Sequence, residues 1–353
     1  MIDRIINEES IKFENEILKT NNARYIFLYA YFHNVKNKKK FINSIINSDD
    51  KKYIHYFFRS IKGIDRELLL DKILSYDDSK YIYYCLYDTK DIEDKYYVKA
   101  INYVIDNSDH RYLGLTLYYY FVVMKLYNQD IIDRLGPIYG GINKDNYLKI
   151  FIKERTEAKE EILEHPKYGF YKYEDRNGYT PDMIVCHISP DYGRIVNTVY
   201  NPESRVTTHY VVSRKGEVTH SLDLKDGAWT NGTIDEEEKD TYYKFSSNPL
   251  VSSRSYNANF YTFTIEHESF DGSLTEEQYQ ASLKVMCEII DYVKEKYNKN
   301  FIIDKDHIVG HRDVDPIVKP SCPGDKFPFN RFINDLKNIY NNWEEKLWLE
   351  IIK

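Results

Sequence analysis

The most informative segment of the second half of the chain is Ile308-Val-Gly-His-Arg-Asp-Val-Asp-Pro-Ile-Val-Lys-Pro-Ser-Cys-Pro-Gly324. It starts as a short apolar run and continues as a proline-containing loop, which sets His311 and Cys322 eleven positions apart. A catalytic zinc ion takes three nitrogen, sulfur or oxygen ligands from the protein and leaves a fourth position open. The stretch therefore offers two ligands of a metal site.

A third ligand is expected from another part of the chain. His187 ends the apolar run 183–186 and precedes the polar turn Ser189-Pro190-Asp191, so it sits at the end of a predicted strand, which is a rigid mount. Taken singly, such a histidine is more often a hydrogen-bonded edge residue, and a cysteine such as Cys322 is more often a small buried apolar residue. The hypothesis of a metal site depends on the combination.

Five motifs follow one another along this half of the chain. They are Ile184-Val-Cys-His187, the segment 209–218, Ala228-Trp229, Thr264-Ile-Glu-His-Glu268, and Gly310-His-Arg-Asp313 with Ser321-Cys-Pro-Gly324. With these motifs, residues 179–345 resemble the N-acetylmuramoyl-L-alanine amidase type 2 family, which is related to phage lysozyme-type amidases and peptidoglycan recognition proteins. The resemblance covers about half of the chain.

The resemblance implies a zinc ion held by His187, His311 and Cys322. Family members carry either Cys or Asp at the position of Cys322. It also places Glu266 where the family has a carboxylate near the metal. Amide hydrolysis needs a base that accepts a proton from the attacking water and passes it to the leaving amine. Glu266 is the predicted base, and Glu268, two residues on and on the same strand face, is its alternative.

Lys319 is the predicted electrostatic stabiliser of the developing oxyanion. Relatives carry a basic residue two positions before the third ligand, whereas Lys319 lies three positions before Cys322. An exposed loop lysine is the alternative.

Trp229 and His209 are the predicted substrate-binding residues. Trp229 matches the Ala-Trp segment that lines the family's cleft, although Thr230 replaces the histidine that usually follows; a buried core tryptophan is the alternative. Thr208 stands where some relatives have a tyrosine, so no tyrosine-assisted mechanism carries over. His209 is expected to be structural or a cleft residue.

Strand and helix patterns give the class of this half. β-branched and aromatic runs at 183–187, 207–212 and 260–265 predict strands, and Lys215-Gly216 predicts a hairpin turn. Residues 275–296 have helical periodicity. We expect an α/β domain with a mixed central sheet flanked by helices, at residues 176–353.

The first half shows a different pattern, in which a basic residue, Tyr and Ile or Leu recur. Tyr25, Tyr53 and Tyr81 are 28 residues apart, Tyr112 follows after 31, and each copy is preceded by residues suited to a helix N-cap. Second apolar stretches lie between the copies, as at 41–46 and 68–74. Residues 1–150 are therefore predicted to form an all-α helical-repeat array. The alternative is an irregular bundle in which the tyrosine spacing is accidental.

A charged linker is predicted between the two halves, at residues 151–175. Residues 153–164 are charged enough for a solvated helix, and His165-Pro166 ends it. A length of 353 residues also favours two domains.

Composition restricts the partners. The net charge of −7 argues against nucleic acid, which requires clustered Lys and Arg. No run approaches about 18–20 uncharged apolar residues, and the N-terminus lacks an apolar stretch of signal-peptide length. We therefore expect that the protein is synthesised in the cytoplasm and does not insert into a membrane. The four scattered cysteines fit a reduced compartment.

The function implied by the resemblance is cleavage of the amide bond between N-acetylmuramic acid and L-alanine in bacterial peptidoglycan. An acidic chain with an extra domain suggests a phage or prophage endolysin that acts at the wall after release, with a bacterial remodelling enzyme as the alternative. A non-catalytic muropeptide-recognition module is a further alternative, although such relatives typically lose the cysteine. The helical half could also act as a scaffold for a protein or wall partner.

Overall fold

The computed structural model describes residues 1–89, 92–107, 110–140, 142–148, 166–235 and 240–351. The chain divides into two compact units, Met1–Ala158 and Lys159–Lys353. The solvated helix predicted at 153–164 lies outside the described residues. Within the described ranges, no helix is both long enough and apolar enough to cross a bilayer.

The first unit is helical. Its described α-helices are α1 Ile2–Asn7, α2 Ile11–Lys19, α3 Ala23–Phe32, α4 Lys38–Asn47, α5 Lys51–Ser60, α6 Glu67–Leu74, α7 Ser79–Asp88, α8 Asp94–Asn107, α9 His110–Tyr118 and α10 Gln129–Tyr139, with π-helical turns at Tyr119–Val123.

Three of the predicted repeat starts share one backbone geometry. Asn22, Asp50 and Asp78 are N-caps, and the side-chain oxygen of each accepts a hydrogen bond from the backbone N–H of the tyrosine three residues later. The residue before each cap has φ between 50° and 56°, a left-handed conformation that Asn and Asp tolerate better than most residues. The recurring motif therefore marks helix starts; the cap of the fourth copy, at 108–109, lies outside the described residues.

The second unit is built on a five-stranded mixed sheet in the order β4-β3-β8-β2-β9, in which only β4 is antiparallel to its neighbour. Two-stranded pairs β1-β5 and β6-β7 lie outside it. The strands are β1 Lys172–Tyr173, β2 Met183–Ser189, β3 Tyr210–Val212, β4 Val218–His220, β5 Gly227–Ala228, β6 Ile234–Asp235, β7 Asp240–Thr241, β8 Thr262–Glu268 and β9 Ile308–Gly310. The α-helices are Tyr192–Val199, Pro249–Ser252, Glu276–Tyr297, His311–Val314 and Phe329–Ile351, and 3-10 turns lie at Glu174–Gly178, Tyr242–Phe245 and Ala258–Phe260.

These elements confirm the predicted mixed sheet with helices, with shifted strand bounds. The strand predicted at 260–265 runs from Thr262 to Glu268, because the 3-10 turn Ala258–Phe260 precedes it. The hairpin prediction is confirmed, with Val212 opposite Val218 and Gly216 at φ +81°. The predicted helix spans Glu276–Tyr297.

Side chains alternate between the two faces of the central strands, so that one face packs in the core and the other carries the candidate metal site. Ile184 and Cys186 of β2, with Phe263 and Ile265 of β8, join the large apolar cluster packed against the helix Glu276–Tyr297. Residues of opposite parity point to the other face. His187 and its register partner Glu266 therefore emerge together on that second face, where β2 and β8 approach their ends.

The described residues 166–176 are part of the second unit, which corrects the prediction of a linker for residues 166–175. Strand β1 pairs with β5, and Lys172 forms an ion pair with buried Asp226 at 2.9 Å. Arg176 has no exposed surface; its guanidinium donates to the carbonyl oxygens of Leu224 and Thr262 and lies 4.3 Å above the Phe263 ring. The segment was predicted as linker because it follows the charged run 153–164, whereas the structure pairs β1 with β5 and Lys172 with Asp226.

Replacing Arg176 with methionine is expected to destabilise the second unit by at least about 3 kcal/mol, because buried carbonyl oxygens lose their donors. All three tryptophans lie at or after Trp229, so denaturant unfolding followed by tryptophan fluorescence reports on this unit alone. Arg331→Ala, which breaks an exposed ion pair with Glu276, is the control and should leave the midpoint nearly unchanged. Equal midpoints for both variants would contradict the assignment.

Candidate metal centre

Three side chains from distant parts of the second unit converge at one place. The ligand atoms of His187, His311 and Cys322 all lie within 4.8 Å of one another, and the Nδ1 of His187 is 4.0 Å from the Sγ of Cys322. A tetrahedral zinc ion with bonds of about 2.0–2.3 Å separates its ligand atoms by roughly 3.5 Å. The observed separation needs only small side-chain adjustments to reach that value.

The sheet brings the two histidines together. In the pairing of β2 with β9, Cys186 lies opposite Gly310, so the residues that follow, His187 and His311, leave the same edge of the sheet. Their ring centroids are 4.5 Å apart and both side chains are buried.

Gly310 lets the cysteine-bearing loop approach this edge. A Cβ atom at Gly310 would lie 2.4 Å from the Cδ of Pro323, which no neighbouring side chain can relieve by rotating. The Arg312 N–H donates to the carbonyl oxygen of Cys322 at 2.9 Å, and the Gly310 N–H donates to the carboxylate of Asp313 at 2.8 Å. The Gly-His-Arg-Asp motif thus holds one ligand and anchors the loop that carries another.

Asp315 shapes the loop between His311 and Cys322. Its carboxylate accepts hydrogen bonds from the backbone N–H groups of Ile317 and Val318, at 3.1 and 2.9 Å. The backbone N–H of Lys319 donates to the Asp315 carbonyl, and that of Cys322 donates to the Lys319 carbonyl. These turns fix the backbone between Asp315 and Cys322. Sequence reasoning missed Asp315, although an Asp-Pro pair after an apolar residue is a recognisable turn.

The carboxylate of Glu266 lies beside the candidate ligands. Its Oε1 lies 3.9 Å from the Nδ1 of His187, and its buried Oε2 has no hydrogen-bond partner among the described residues. Glu268 is differently placed, because it is 3% exposed and its Oε2 accepts from the Arg214 N–H at 2.9 Å. Of the two predicted carboxylates, the structure brings Glu266 to the candidate ligands.

Burial dominates the electrostatics of the site. It lowers the pKa of His187 to about 3, with further lowering by Lys319 and His267, and it lowers the pKa of His311 well below its usual range. Burial also raises the pKa of Glu266 to about 7, and the charge of Lys319 acts in the opposite direction. Both imidazoles are therefore neutral, which is the form that binds metals, and Lys319 is close enough to affect all three groups.

Trp229 is half-buried and flanked by aromatic rings of the segment that precedes the sheet. The Tyr173 ring stacks on it at 5.4 Å between centroids, and the Tyr171 ring lies at 5.2 Å with a tilt of 44°. Much of its surface is therefore engaged in packing. A substrate contact through the remaining exposed part stays a prediction.

His209 lies in the core, which corrects its prediction as a cleft residue. The side chain has no exposed surface, its Nδ1 accepts from the Thr264 N–H at 3.1 Å, and its Nε2 lies 3.0 Å from the Asp226 carbonyl oxygen. Burial and the charge of Arg176 hold its pKa well below the usual range. The structural alternative is the one that the geometry favours.

The chain is similar to known amidases over its second half. Residues 177–325 match the family model described as N-acetylmuramoyl-L-alanine amidase. The 1,6-anhydro-N-acetylmuramyl-L-alanine amidase AmpD of Haemophilus influenzae is 26% identical over 161 residues, which are 45% of this chain and 73% of that protein.

Solved structures similar to the chain include two amidases. A selenomethionine AmpD derivative has 19% identity and a TM-score of 0.33, covering 50% of this chain and 93% of that one. The N-acetylmuramoyl-L-alanine amidase LysC from Clostridium intestinale has 18% identity and a TM-score of 0.30, and the match covers 51% of this chain and 99% of that one.

Proposed function

We propose that the chain is a zinc-dependent amidase of bacterial peptidoglycan, a proposal supported by the match of residues 177–325 to the N-acetylmuramoyl-L-alanine amidase family model. In this proposal His187, His311 and Cys322 hold the metal. The observation that carries it is the convergence of these three ligand atoms within 4.8 Å, inside the residues that match the family.

The donor set suits zinc. Two neutral imidazoles and a thiolate are ligands that zinc prefers, and three protein ligands leave a coordination position open for the reaction. When bound, zinc supplies Lewis-acid chemistry, which activates water and polarises the amide carbonyl.

The remaining steps belong to the chain's own side chains. Glu266 accepts a proton from the attacking water and delivers it to the leaving amine; its unpaired, buried Oε2 is free for that transfer. The Lys319 ammonium stabilises negative charge on the carbonyl oxygen. The bond broken joins the lactyl group of N-acetylmuramic acid to L-alanine, so the products are a glycan strand and a stem peptide.

The proposal is tested by incubating purified protein with purified cell walls. We expect release of new L-alanine N-termini, with no new reducing sugar ends. New amines of other residues would reassign the cleaved bond. Binding to walls without any new amine would instead establish the muropeptide-recognition alternative.

The lytic role is the finer part of the proposal: an endolysin that acts at the wall after release from the cell. Its measurable consequence is that the protein added to cells with an exposed wall lowers their turbidity. A protein that trims purified walls without lysing such cells fits the remodelling alternative.

We further propose that the first unit is a helical-repeat array that binds a protein or wall partner. Helices α3, α5, α7 and α9 contact one another in succession, and so do α2, α4, α6, α8 and α10, as stacked helix pairs require. The hydroxyl groups of Tyr76 and Tyr103 donate to Asp49 and Asp77, the left-handed residues one repeat earlier. Equivalent bonds at equivalent positions support a repeated unit rather than an irregular bundle.

Lys319→Met is expected to lower kcat by about 10²–10³-fold, as removal of one oxyanion-stabilising group does in other hydrolases. The zinc content should not fall, because the loop is shaped by the Asp315 carboxylate and by backbone groups. Lys326→Met, at an exposed pair with Asp271, is the control. Rates of amine release from cell walls, measured together with the zinc content, check the prediction. If the Lys319 variant has the same kcat as the control, Lys319 is an exposed loop residue without a part in catalysis.

A further inference from the structure

Two buried polar atoms of complementary character lie beside the metal centre. The Nε2 of His187 and the Oδ1 of Asn231 are each buried, and neither has a hydrogen-bond partner among the described residues. Asn231 itself has no exposed surface. A buried polar atom without a partner costs about 1–3 kcal/mol, so two such atoms in one place call for an explanation.

The proton position on His187 follows from the geometry of the ligands. Its Nδ1 faces the Sγ of Cys322 at 4.0 Å and the Oε1 of Glu266 at 3.9 Å, so Nδ1 is the atom that binds a metal. A neutral imidazole that binds through Nδ1 carries its proton on Nε2. That N–H is buried and requires an acceptor.

The amide of Asn231 is oriented by Thr262. The Thr262 hydroxyl donates to the carbonyl oxygen of Ala258 at 2.8 Å, so its oxygen is left to accept a bond. It accepts from the Nδ2 of Asn231 at 3.0 Å. The Nδ2 end of the amide therefore faces Thr262, and the Oδ1 end is the acceptor that remains.

Asn231 is also held by its backbone. Its N–H donates to the Oδ1 of Asn259 at 2.6 Å, which fixes the residue next to strand β8. The Asn231 side chain lies within reach of the His187 ring, close enough to act on it as a hydrogen-bond acceptor.

We propose that Asn231 is a positioning residue, whose Oδ1 accepts the Nε2–H of His187 and holds the ring with Nδ1 directed at the metal. This inference rests on the proposed zinc site. The partner that orients a metal-binding histidine fixes both the tautomer and the ring angle, and its loss typically costs about 10–100-fold in metal affinity.

The first test compares zinc affinities by competition with a chromogenic chelator. Asn231→Ala is expected to weaken zinc binding by about 10–100-fold. Asn257→Ala is the matched control: Asn257 is buried nearby and its Oδ1 caps the backbone N–H of Asn259, but the proposal gives it no contact with His187. The Asn257→Ala substitution should lower the thermal stability of the metal-free protein. Its zinc affinity should stay within about threefold of wild type, a much smaller change than the one expected for Asn231→Ala.

A second variant separates positioning from general destabilisation. Asn231→Asp keeps an oxygen acceptor toward His187 but replaces the Nδ2 donor to Thr262. The stability of the metal-free protein should therefore fall, while its zinc affinity stays within about tenfold of wild type, the smallest loss expected when an orienting partner is removed. Equal affinity of wild type and Asn231→Ala overturns the inference, and so does an affinity that falls in proportion to stability in all three variants. A wild-type protein that binds no zinc overturns the proposed function, which distinguishes the two failures.

Discussion

Replacing Glu266 with glutamine lowers kcat by about 10²–10⁴-fold, the usual contribution of a positioned general base. Glutamine has nearly the same shape but cannot accept the proton from the attacking water. Because Glu266 is not one of the three ligands, its variant should bind zinc in the same stoichiometry as the wild-type protein. The loss should therefore appear in kcat, measured by amine release from cell walls, with zinc content determined on the same samples.

Glu268→Gln is the matched control for this prediction. Glu268 is two residues further along the same strand, on the same face, and its carboxylate accepts from the Arg214 N–H. The amide oxygen of glutamine can accept the same bond, so kcat should change by no more than a few-fold. The base assignment is reversed if Glu268→Gln loses activity and Glu266→Gln keeps it.

Replacing Cys322 with alanine is expected to remove both zinc binding and amidase activity. The remaining ligands, His187 and His311, offer two nitrogen atoms, whereas a catalytic zinc site uses three protein ligands. Loss of a direct ligand should weaken binding by more than the roughly 10–100-fold typical of a lost orienting partner. Equilibrium dialysis against buffered zinc, followed by metal analysis, gives the change.

Two further variants sharpen this prediction. Cys322→Asp supplies a carboxylate oxygen, which zinc also accepts, so part of the metal affinity and of the activity should return. Cys287→Ala, at a half-buried cysteine in the helix Glu276–Tyr297, should leave both unchanged. If alanine at position 322 left hydrolysis intact, the thiolate would have no part in the reaction.

Much of the second unit could be predicted because its local patterns agree with its tertiary structure. The apolar run before His187 forms a buried parallel strand, and the Lys215-Gly216 turn joins two strands because Gly216 adopts φ +81°. The segment 167–175 was predicted as linker for a physical reason. Lys172 reads as a solvent-exposed charge, and only the folded structure shows it paired with buried Asp226.

The three proposed ligands stand in short sequence motifs: His187 near the end of β2, His311 directly after β9, and Cys322 in the loop that follows. The choice between Glu266 and Glu268 could not be made from the sequence, since both point to one face of β8; the register with His187 and the bond from Arg214 separate them. Asn231 carries no local pattern that links it to His187. Its relation to the site arises from the packing of its loop against Thr262, which sequence spacing does not reveal.

The repeat motif of the first unit predicted helix starts better than it predicted function. The Asn or Asp caps and the left-handed residues before them are local features, so they follow directly from the sequence. In the proposed array, a partner would be recognised by a surface that several repeats form together, and no single motif encodes such a surface.

X-ray absorption spectroscopy at the zinc edge tests the central claim most directly, because it reports the atoms bound to the metal. The protein loaded with one equivalent of zinc should show one sulfur ligand near about 2.3 Å and nitrogen or oxygen ligands near about 2.0–2.1 Å. The sulfur contribution should vanish in Cys322→Asp. A wild-type spectrum without sulfur, or a protein that retains no zinc, would contradict the assignment of His187, His311 and Cys322 as the metal site.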